Sequence, residues 1–379
     1  MRVVSVNVGT PREIPWRGRS LVTAIVKEPV PGPVQVGRLG MRGDAQADAR
    51  VHGGPDKAVY LYPAEHYPFW EGVLAPGLPW GAFGENLTTR GLLESGLSIG
   101  DRIAVGSALL EVAEPRLPCV KLAARHGCAE LPERFARAGR PGVYLRVVEE
   151  GEVAAGGAVT LRARASEWWP VDRVASLLLG QTDARESALD RAAAARLAGY
   201  PRLGESPRRS LAERTGFAGV VDGARAEDIP TLHRLLADAG LPVEPPPART
   251  SVVLAARDPA GSVIGGVALE TEAASALLRS LVVAPAAQGS GVGGALVAAA
   301  LASAWGRGAT NVSLLTDTAP AWFARFGFRA GAEVPPGGPA PLAAAEGVRG
   351  SCPASAVLMV REAPASTPAR SAPPPPPPG

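Results

Sequence analysis

Short apolar, β-branched runs separated by Gly and Pro mark the first 165 residues of the chain. The runs at 21–27, 58–62, 102–105, 108–112, 142–148 and 158–162 read as strands, and their spacing predicts a barrel or sandwich. Beyond 166 the period changes. Val171, Val174, Ala175, Leu177 and Leu178 share one helical face, and Leu189, Ala192, Ala193 and Leu197 share another, with Gly199 as a stop. Residues 166–216 are therefore expected to form a small helical module. Residues 217–362 read as a second α/β unit. A helix opens at Asp228-Ile229-Pro230 with Leu232, Leu235 and Leu236 on one face. Strands follow at 251–256, 263–270 and 276–283, then the glycine loop Gln288-Gly-Ser-Gly291-Val-Gly293 and a helix at 295–305. A strand at 311–315 and a helix at 320–326 end on Gly327-Phe328. The last stretch, 363–379, closes on a run of proline and is expected to be disordered or polyproline II.

Composition narrows the function classes. The chain has 379 residues, room for two or three domains, and a net charge of +3, too even for a polybasic nucleic-acid binder. Three cysteines, Cys119, Cys128 and Cys352, are too few and too scattered for a disulfide framework. No CxxC pair suggests a structural zinc site. The N-terminal segment lacks an apolar h-region and is broken by Pro11 and Pro15, so no signal peptide is expected. The window 280–306 carries no charge and is long enough to span a bilayer. It nevertheless contains Pro285, Gln288 and four glycines, which fit a strand, a turn and a helix better. A cytoplasmic protein with neither membrane nor nucleic-acid partners is the expectation. Only Lys27, Lys57 and Lys121 are lysines among 39 basic residues, and two of them fall within dense motifs. A lysine offers a compact point charge where arginine offers a broad fork.

Three N-terminal segments concentrate chemistry: 43–57, 81–87 and 114–121. They place carboxylates, His52, Asn86, cations and the thiol of Cys119 in loops beside strands, where sites are usually built. Arg116 and Lys121 flank Cys119. Neighbouring cations favour a thiolate, the form that binds metal. One soft ligand beside cations suits a cofactor that brings its own charge and most of its metal ligands. A buried, inert cysteine is the competing reading.

The segments GDAQADARVHGGPDKAVYLYPAEHYPFW, GAFGENLTTRGLLESGLSIGDR, EPRLPCVKL and GVYLRVVEEGEVAAGGAV resemble, in order, a MOSC domain, and more narrowly the YiiM-type MOSC proteins. The resemblance spans nearly all of residues 1–165, and 167–215 is similar to the small three-helix domain that follows it in those proteins. It implies a β-barrel that binds molybdenum cofactor, with Cys119 as the metal ligand and catalytic residue. His52, Lys57, Glu85, Asn86, Arg116 and Lys121 are implied as cofactor-binding residues. Such proteins are linked to reduction of N-hydroxylated compounds from N–OH to N–H, which requires an electron-donor reductase as partner. Asp44 and Asp48 could contact substrate or cap turns.

In the C-terminal unit, Gln288-x-x-Gly291-x-Gly293 follows a strand and opens a helix, where backbone N–H groups can approach an anion. LLRSLVVAPAAQGSGVGGALV and NVSLLTDTAPAWFARFGF resemble the GNAT acetyltransferase fold. AGLPVE, VALE, LLRSLVV, SLLT and SCPASAVLM are similar to its arsenic-resistance branch. This implies acetyl-CoA as cosubstrate, bound by Val283, Gln288, Gly289, Gly291, Val292 and Gly293, and a small-molecule amine as acceptor. Glu270 is the candidate base, with a solvated strand end as its alternative. Arg279 would bind an anionic substrate group or pair with a carboxylate, and Cys352 would touch a soft arsenical or stay buried. Phe323 stands where the family commonly has a proton-donating Tyr, and Ser290 where a basic residue is common.

The expected architecture is an α+β multidomain chain. Residues 1–165 form the MOSC barrel, 166–216 a three-helix module, 217–362 a GNAT domain with a mixed sheet, and 363–379 the tail. The expected function is bifunctional detoxification. The alternatives are a molybdenum-cofactor or sulfur carrier with acetyl transfer as the only catalysis, and a GNAT domain that senses acetyl-CoA without catalysis.

Overall fold

Tyr60 and Tyr62 alternate with Val59 and Leu61 along a strand with no exposed residue, and this strand organises the first half of the molecule. The computed structural model describes residues 1–48, 53–181, 187–216, 219–243, 251–330 and 355–364. The chain divides into two compact units. The first is Met1–Ala165 with Trp169–Gln181 and Pro201–Pro207; the second is Ser166–Trp168, Thr182–Tyr200 and Arg208–Gly379. The helices expected at 166–216 are thus shared between the two. The proline-rich end, 365–379, lies outside the described residues.

The first unit is built on an eight-stranded sheet. Its strands are β1 (Arg2–Val8), β2 (Glu28–Pro29), β3 (Val59–Pro63), β4 (Leu87–Arg90), β5 (Arg102–Val105), β6 (Ala108–Pro115), β7 (Val143–Glu149) and β8 (Val159–Ala163). Their spatial order is β8-β5-β6-β7-β3-β4-β1-β2, antiparallel except for the β3/β4 pair. The expected barrel is not closed by strand pairing. At the seam only one bridge, Arg2 to Ala158, links β1 to the chain entering β8. Turn residues carry the bonds there: Val3 N–H donates to Gly157 O at 2.8 Å and Gly156 N–H to Val3 O at 2.9 Å. Gly156 has φ +84°, so this Gly-Gly turn cannot extend as a strand.

One face of β3 anchors the motif-bearing loops. Tyr60 and Tyr62 join Tyr67, Trp70, Phe83 and Phe135 in a buried cluster that also holds Leu122 and Leu131. Trp70 stacks on Phe135 at 5.1 Å between centroids, and its indole N–H donates to Tyr62 Oη at 2.6 Å. Each such ring pair contributes about 0.5–1.5 kcal/mol beyond area burial. Phe83 ties the 81–87 loop to this cluster. Leu122 does the same for α2 (Val120–His126), which packs with α3 (Leu131–Arg137). A short α1 (Tyr67–Glu71) completes the wall, and α4 (Val171–Leu178) buries Val171, Val174, Ala175 and Leu177 as its periodicity predicts.

The second unit is a seven-stranded mixed sheet with helices. Its strands are β9 (Val220–Gly223), β10 (Ser251–Arg257), β11 (Val263–Glu272), β12 (Ser275–Val283), β13 (Asn311–Thr316), β14 (Arg329–Ala330) and β15 (Val357–Glu362), in the order β9-β10-β11-β12-β13-β15-β14. Helices α5 (Ala188–Ala198), the later part of α6 (Glu205–Thr215), α7 (Ile229–Asp238), α8 (Val292–Gly306) and α9 (Pro320–Ala324) belong with it. Helix α8 is apolar all round because it is covered on both sides, by α5 and by the sheet. Gly294 permits the close approach: a Cβ there would stand 3.3 Å from that of Ala192.

The parallel pair β12/β13 positions the cleft of this unit. It is paired only at Ser275–Leu277 with Asn311–Ser313. Beyond it, β12 carries a bulge in which Ser280 and Leu281 oppose Val267, with Ser280 at φ +53°. The two strands therefore part, leaving the later residues of β12 unpaired on that side. Among the described residues, no helix is long and apolar enough to cross a membrane.

Candidate functional sites

In the first unit a cavity of about 70 Å³ gathers side chains from separate segments: Lys27, Asp44, Lys57, Arg116, Cys119 and Lys121 among them. Cys119 is half-buried and precedes the first turn of α2. Arg116 Nη2 lies 3.9 Å from its sulfur. The guanidinium is 4% exposed and stacks over Tyr60 and Phe135, with its carbon 5.8 and 5.3 Å from the ring centroids. Burial disfavours its charge, but Tyr60 and Cys119 more than offset this and push its pKa up. Its Nη1 is buried and finds no hydrogen-bond partner among the described residues. A buried, charged donor left open is costly unless something anionic meets it. Burial also raises the phenol of Tyr144 on the same wall, to about 12, so it stays neutral and able to donate.

The sequence motifs did not reveal the Lys27–Asp44 pair. Asp44 Oδ1 accepts from Gly9 N–H at 2.9 Å and from Lys27 Nζ, while Oδ2 is buried without a partner. Burial pulls the Lys27 pKa down, and Asp44 opposes the shift. The available signal was the rarity of lysine, which singled out position 27 as well as 57 and 121.

Two expected cofactor residues hold the scaffold. Glu85 is fully buried and does not line the cavity. It accepts from Gly81 N–H at 2.9 Å, Phe83 N–H at 3.0 Å, Thr88 Oγ1 at 2.9 Å and the hydroxyl of Tyr67. Asn86 lines the cavity, but its Oδ1 accepts from Tyr60 N–H at 3.0 Å and its Nδ2 donates to Asn7 O at 3.3 Å. Both pin the 81–87 loop against β3 and β1. His52 lies outside the described residues.

Lys57 meets Glu114 at 3.5 Å, and Glu114 Oε2 is buried without a partner. Desolvation raises the Glu114 pKa to about 7, against the opposing pull of Lys57. Between about pH 4.5 and 7 the folded chain therefore holds a proton that the unfolded chain has released. Stability should fall as pH rises through this window and level off above it, by on the order of 3 kcal/mol. Urea titrations at pH 5 and 8 should show the slope, and Glu114→Gln should remove this contribution; an unchanged slope would exclude Glu114 as its source.

The second unit holds an open cleft of about 1630 Å³ where β12 and β13 part. The glycine loop lies along it. Gly289 and Gly291 have φ +79° and +91°, and Gly291 caps α8 without any side-chain hydrogen bond, so the first amides of α8 stay unbonded by a cap. Gly289, Gly291 and Gly293 line the cleft with Gln288 and Val283, whereas Val292 turns into the core. Gln288 Nε2 donates to Val283 O at 3.3 Å, and Ser290 Oγ donates to Ala287 O at 2.6 Å. Arg279 lines the cleft and meets Glu270 at 2.8 Å. The structure thus brings the expected base and the expected anion binder into one ion pair, and Glu270 itself is not on the cleft wall. Phe323 and Trp322 form an aromatic patch there. Asp317, just after β13, is the one carboxylate among the described lining residues. Cys352 lies outside the described residues.

The MOSC domain family matches residues 48–160, and the acetyltransferase (GNAT) domain family matches residues 248–330. An uncharacterized Bacillus subtilis protein, YflK, is 46% identical over 162 residues, which are 43% of this chain and 73% of YflK. The chain belongs to the YiiM-like MOSC family. Protein YiiM of Escherichia coli is 39% identical over 153 residues, 38% of this chain and 66% of YiiM, just short of two thirds of its length. A Gibberella moniliformis protein named reductase is 38% identical over 158 residues, 41% of this chain and 28% of that protein. The MOSC match thus covers Lys57, Arg116, Cys119 and Lys121 of the cavity, while Lys27 and Asp44 precede it, and the GNAT match covers the glycine loop and the parting strands.

Proposed function

We propose that the MOSC domain holds a molybdenum–pterin cofactor through Cys119 and reduces N-hydroxylated small molecules. The observation that carries this reading is the buried Arg116 guanidinium, with one nitrogen unpartnered, beside the only thiol among the described residues of the cavity. Among the described residues there is no cluster of three His, Cys, Asp or Glu that could hold a metal by itself. One soft ligand among cations fits an anionic group that brings its remaining metal ligands. A cavity of about 70 Å³ accommodates a metal and its nearest atoms, not a whole pterin. Cys119 would ligate the metal, and Arg116, Lys57 and Lys121 would neutralise the charge of the anionic group around it. When bound, such a centre supplies the two-electron chemistry that turns N–OH into N–H with release of water. The reduction takes up two protons: Lys27 Nζ, whose ammonium is weakened by burial, would give one and solvent the other. Electrons come from a separate reductase. The relative named reductase supports a redox role.

The GNAT domain is proposed to move acetyl from acetyl-CoA to a small-molecule amine. The unpaired edge of β12 offers backbone groups to an extended amide-bearing arm, and the glycine loop offers amides to its pyrophosphate. The amine nitrogen attacks the thioester carbonyl; the C–N bond forms and the C–S bond breaks. Asp317 takes the amine proton directly or through water, since Arg279 holds Glu270. Phe323 cannot protonate the leaving thiolate, so solvent does. Arg214 and Arg325 on the wall favour acceptors with an anionic group, arsenicals included.

Purified protein co-expressed with cofactor biosynthesis should contain molybdenum and pterin and bind CoA by calorimetry. Protein containing neither metal nor pterin would sink the first reading, and absent CoA binding the second. Asp317→Asn should lower kcat about a hundredfold with little change in CoA affinity. An unchanged kcat beside a crippled Glu270→Gln would return the base role to Glu270.

A further inference from the structure

The loop proposed to take the coenzyme's pyrophosphate has no charge near it in sequence: residues 280–306 contain no Lys, Arg, Asp or Glu. Backbone amides alone can cradle a phosphate, but a dianion in a cleft is usually met by a cation as well. The cleft wall supplies Arg191, Arg214, Arg279 and Arg325. Position 290, inside the loop, is a serine whose hydroxyl is bonded to Ala287.

Arg191 is placed differently from the loop residues. It belongs to α5, outside the residues 248–330 that match the GNAT family. Ala188, Arg191, Ala192 and Ala195, one face of α5, border the same cleft as the loop. The next residue along, Ala192, is the one that α8 meets at Gly294, where a Cβ would come within 3.3 Å of the alanine's. Helix α5 thus packs on the first turn of α8, the turn that the glycine loop opens. A capping box fixes the start of α5: Asp190 N–H donates to Ser187 Oγ at 3.0 Å, and Ser187 N–H donates to Asp190 Oδ2 at 3.3 Å. The exposed Arg191 side chain therefore springs from a defined backbone beside the phosphate end of the cleft.

We propose that Arg191 supplies the cation for the pyrophosphate of the acyl-CoA, so that a helix outside the GNAT domain completes the coenzyme site. The inference rests on the acetyl-CoA reading above. Charge on α5 replaces the basic residue missing at Ser290.

Binding of CoA and of dephospho-CoA, which lacks the 3′-phosphate, should be measured by calorimetry on the full chain. Arg191→Gln is expected to weaken both by about tenfold or more and to reduce the salt dependence of binding, with the melting temperature unchanged. Arg191→Lys should restore most of the affinity. Equal affinities for wild type and Arg191→Gln would overturn the inference while leaving the acetyl-CoA reading intact. A loss confined to CoA would also overturn it, by moving the contact to the 3′-phosphate. A wild-type chain that binds neither ligand would remove the acetyl-CoA reading and the inference together.

Discussion

Cys119→Ser is expected to lower the molybdenum content of the purified chain at least about tenfold, with the fold unchanged. The thiol is the only soft ligand among the described residues of its cavity, and a serine hydroxyl is a harder ligand and a far weaker acid. The cation set would remain: Arg116, Lys57 and Lys121 stay on the wall, so some pterin is expected to persist without its metal. The substitution replaces a half-buried sulfur whose hydrogen bond from Arg116 Nη2, at 3.9 Å, a serine oxygen can also accept, so the change in stability should stay within about 1 kcal/mol. Cys128→Ser provides the control. That sulfur packs beside the aromatic cluster and is absent from the cavity wall, and its loss should leave metal content intact. Undiminished molybdenum in Cys119→Ser, with normal pterin, would defeat the ligand assignment. Pterin-free, metal-free wild type carrying sulfane sulfur on Cys119 would favour the sulfur-carrier alternative instead.

How far the sequence could be read depended on whether the signal was local. Helix α4 was legible because Val171, Val174, Ala175 and Leu177 are adjacent in sequence and share one face. The glycine loop was legible because three glycines within five residues impose their own geometry. Cys119 and Arg116 were legible as neighbours three residues apart. Strand β4 was not singled out, since four residues, Leu-Thr-Thr-Arg, carry too little alternation. The parting of β12 and β13 was hidden as well, because it depends on a bulge at Ser280, a residue type with no preference for positive φ. The Lys27–Asp44 pair joins residues seventeen positions apart across loops, with no period to betray it. Arg191 belonged to a helix read only as part of a small module, and its bordering of the cleft exists only in three dimensions. Motif resemblance marked the right loops, but could not say which polar residues face the cavity and which hold the loop.

Glu85 decides that last question by experiment. Glu85→Gln is expected to destabilise the chain by about 3 kcal/mol, while folded protein at low temperature keeps its metal and pterin content. The carboxylate accepts four hydrogen bonds and has no exposed surface. A glutamine of the same shape keeps its oxygen at the Oε1 position, which serves three donors, and must turn its NH₂ toward Phe83 N–H, leaving that donor unmet in a buried site. The affected donor is the amide of Phe83, so the loop that packs Phe83 into the aromatic cluster would loosen. For a unit of this size the loss corresponds to a fall in melting temperature of about 6–12 °C. The opposite pattern, an unchanged melting temperature with cofactor content gone, would make Glu85 a cofactor residue as the motif suggested. A scaffold residue shifts stability first, because its bonds exist in the empty chain; a ligand residue shifts cofactor retention first, because its bonds form only on binding.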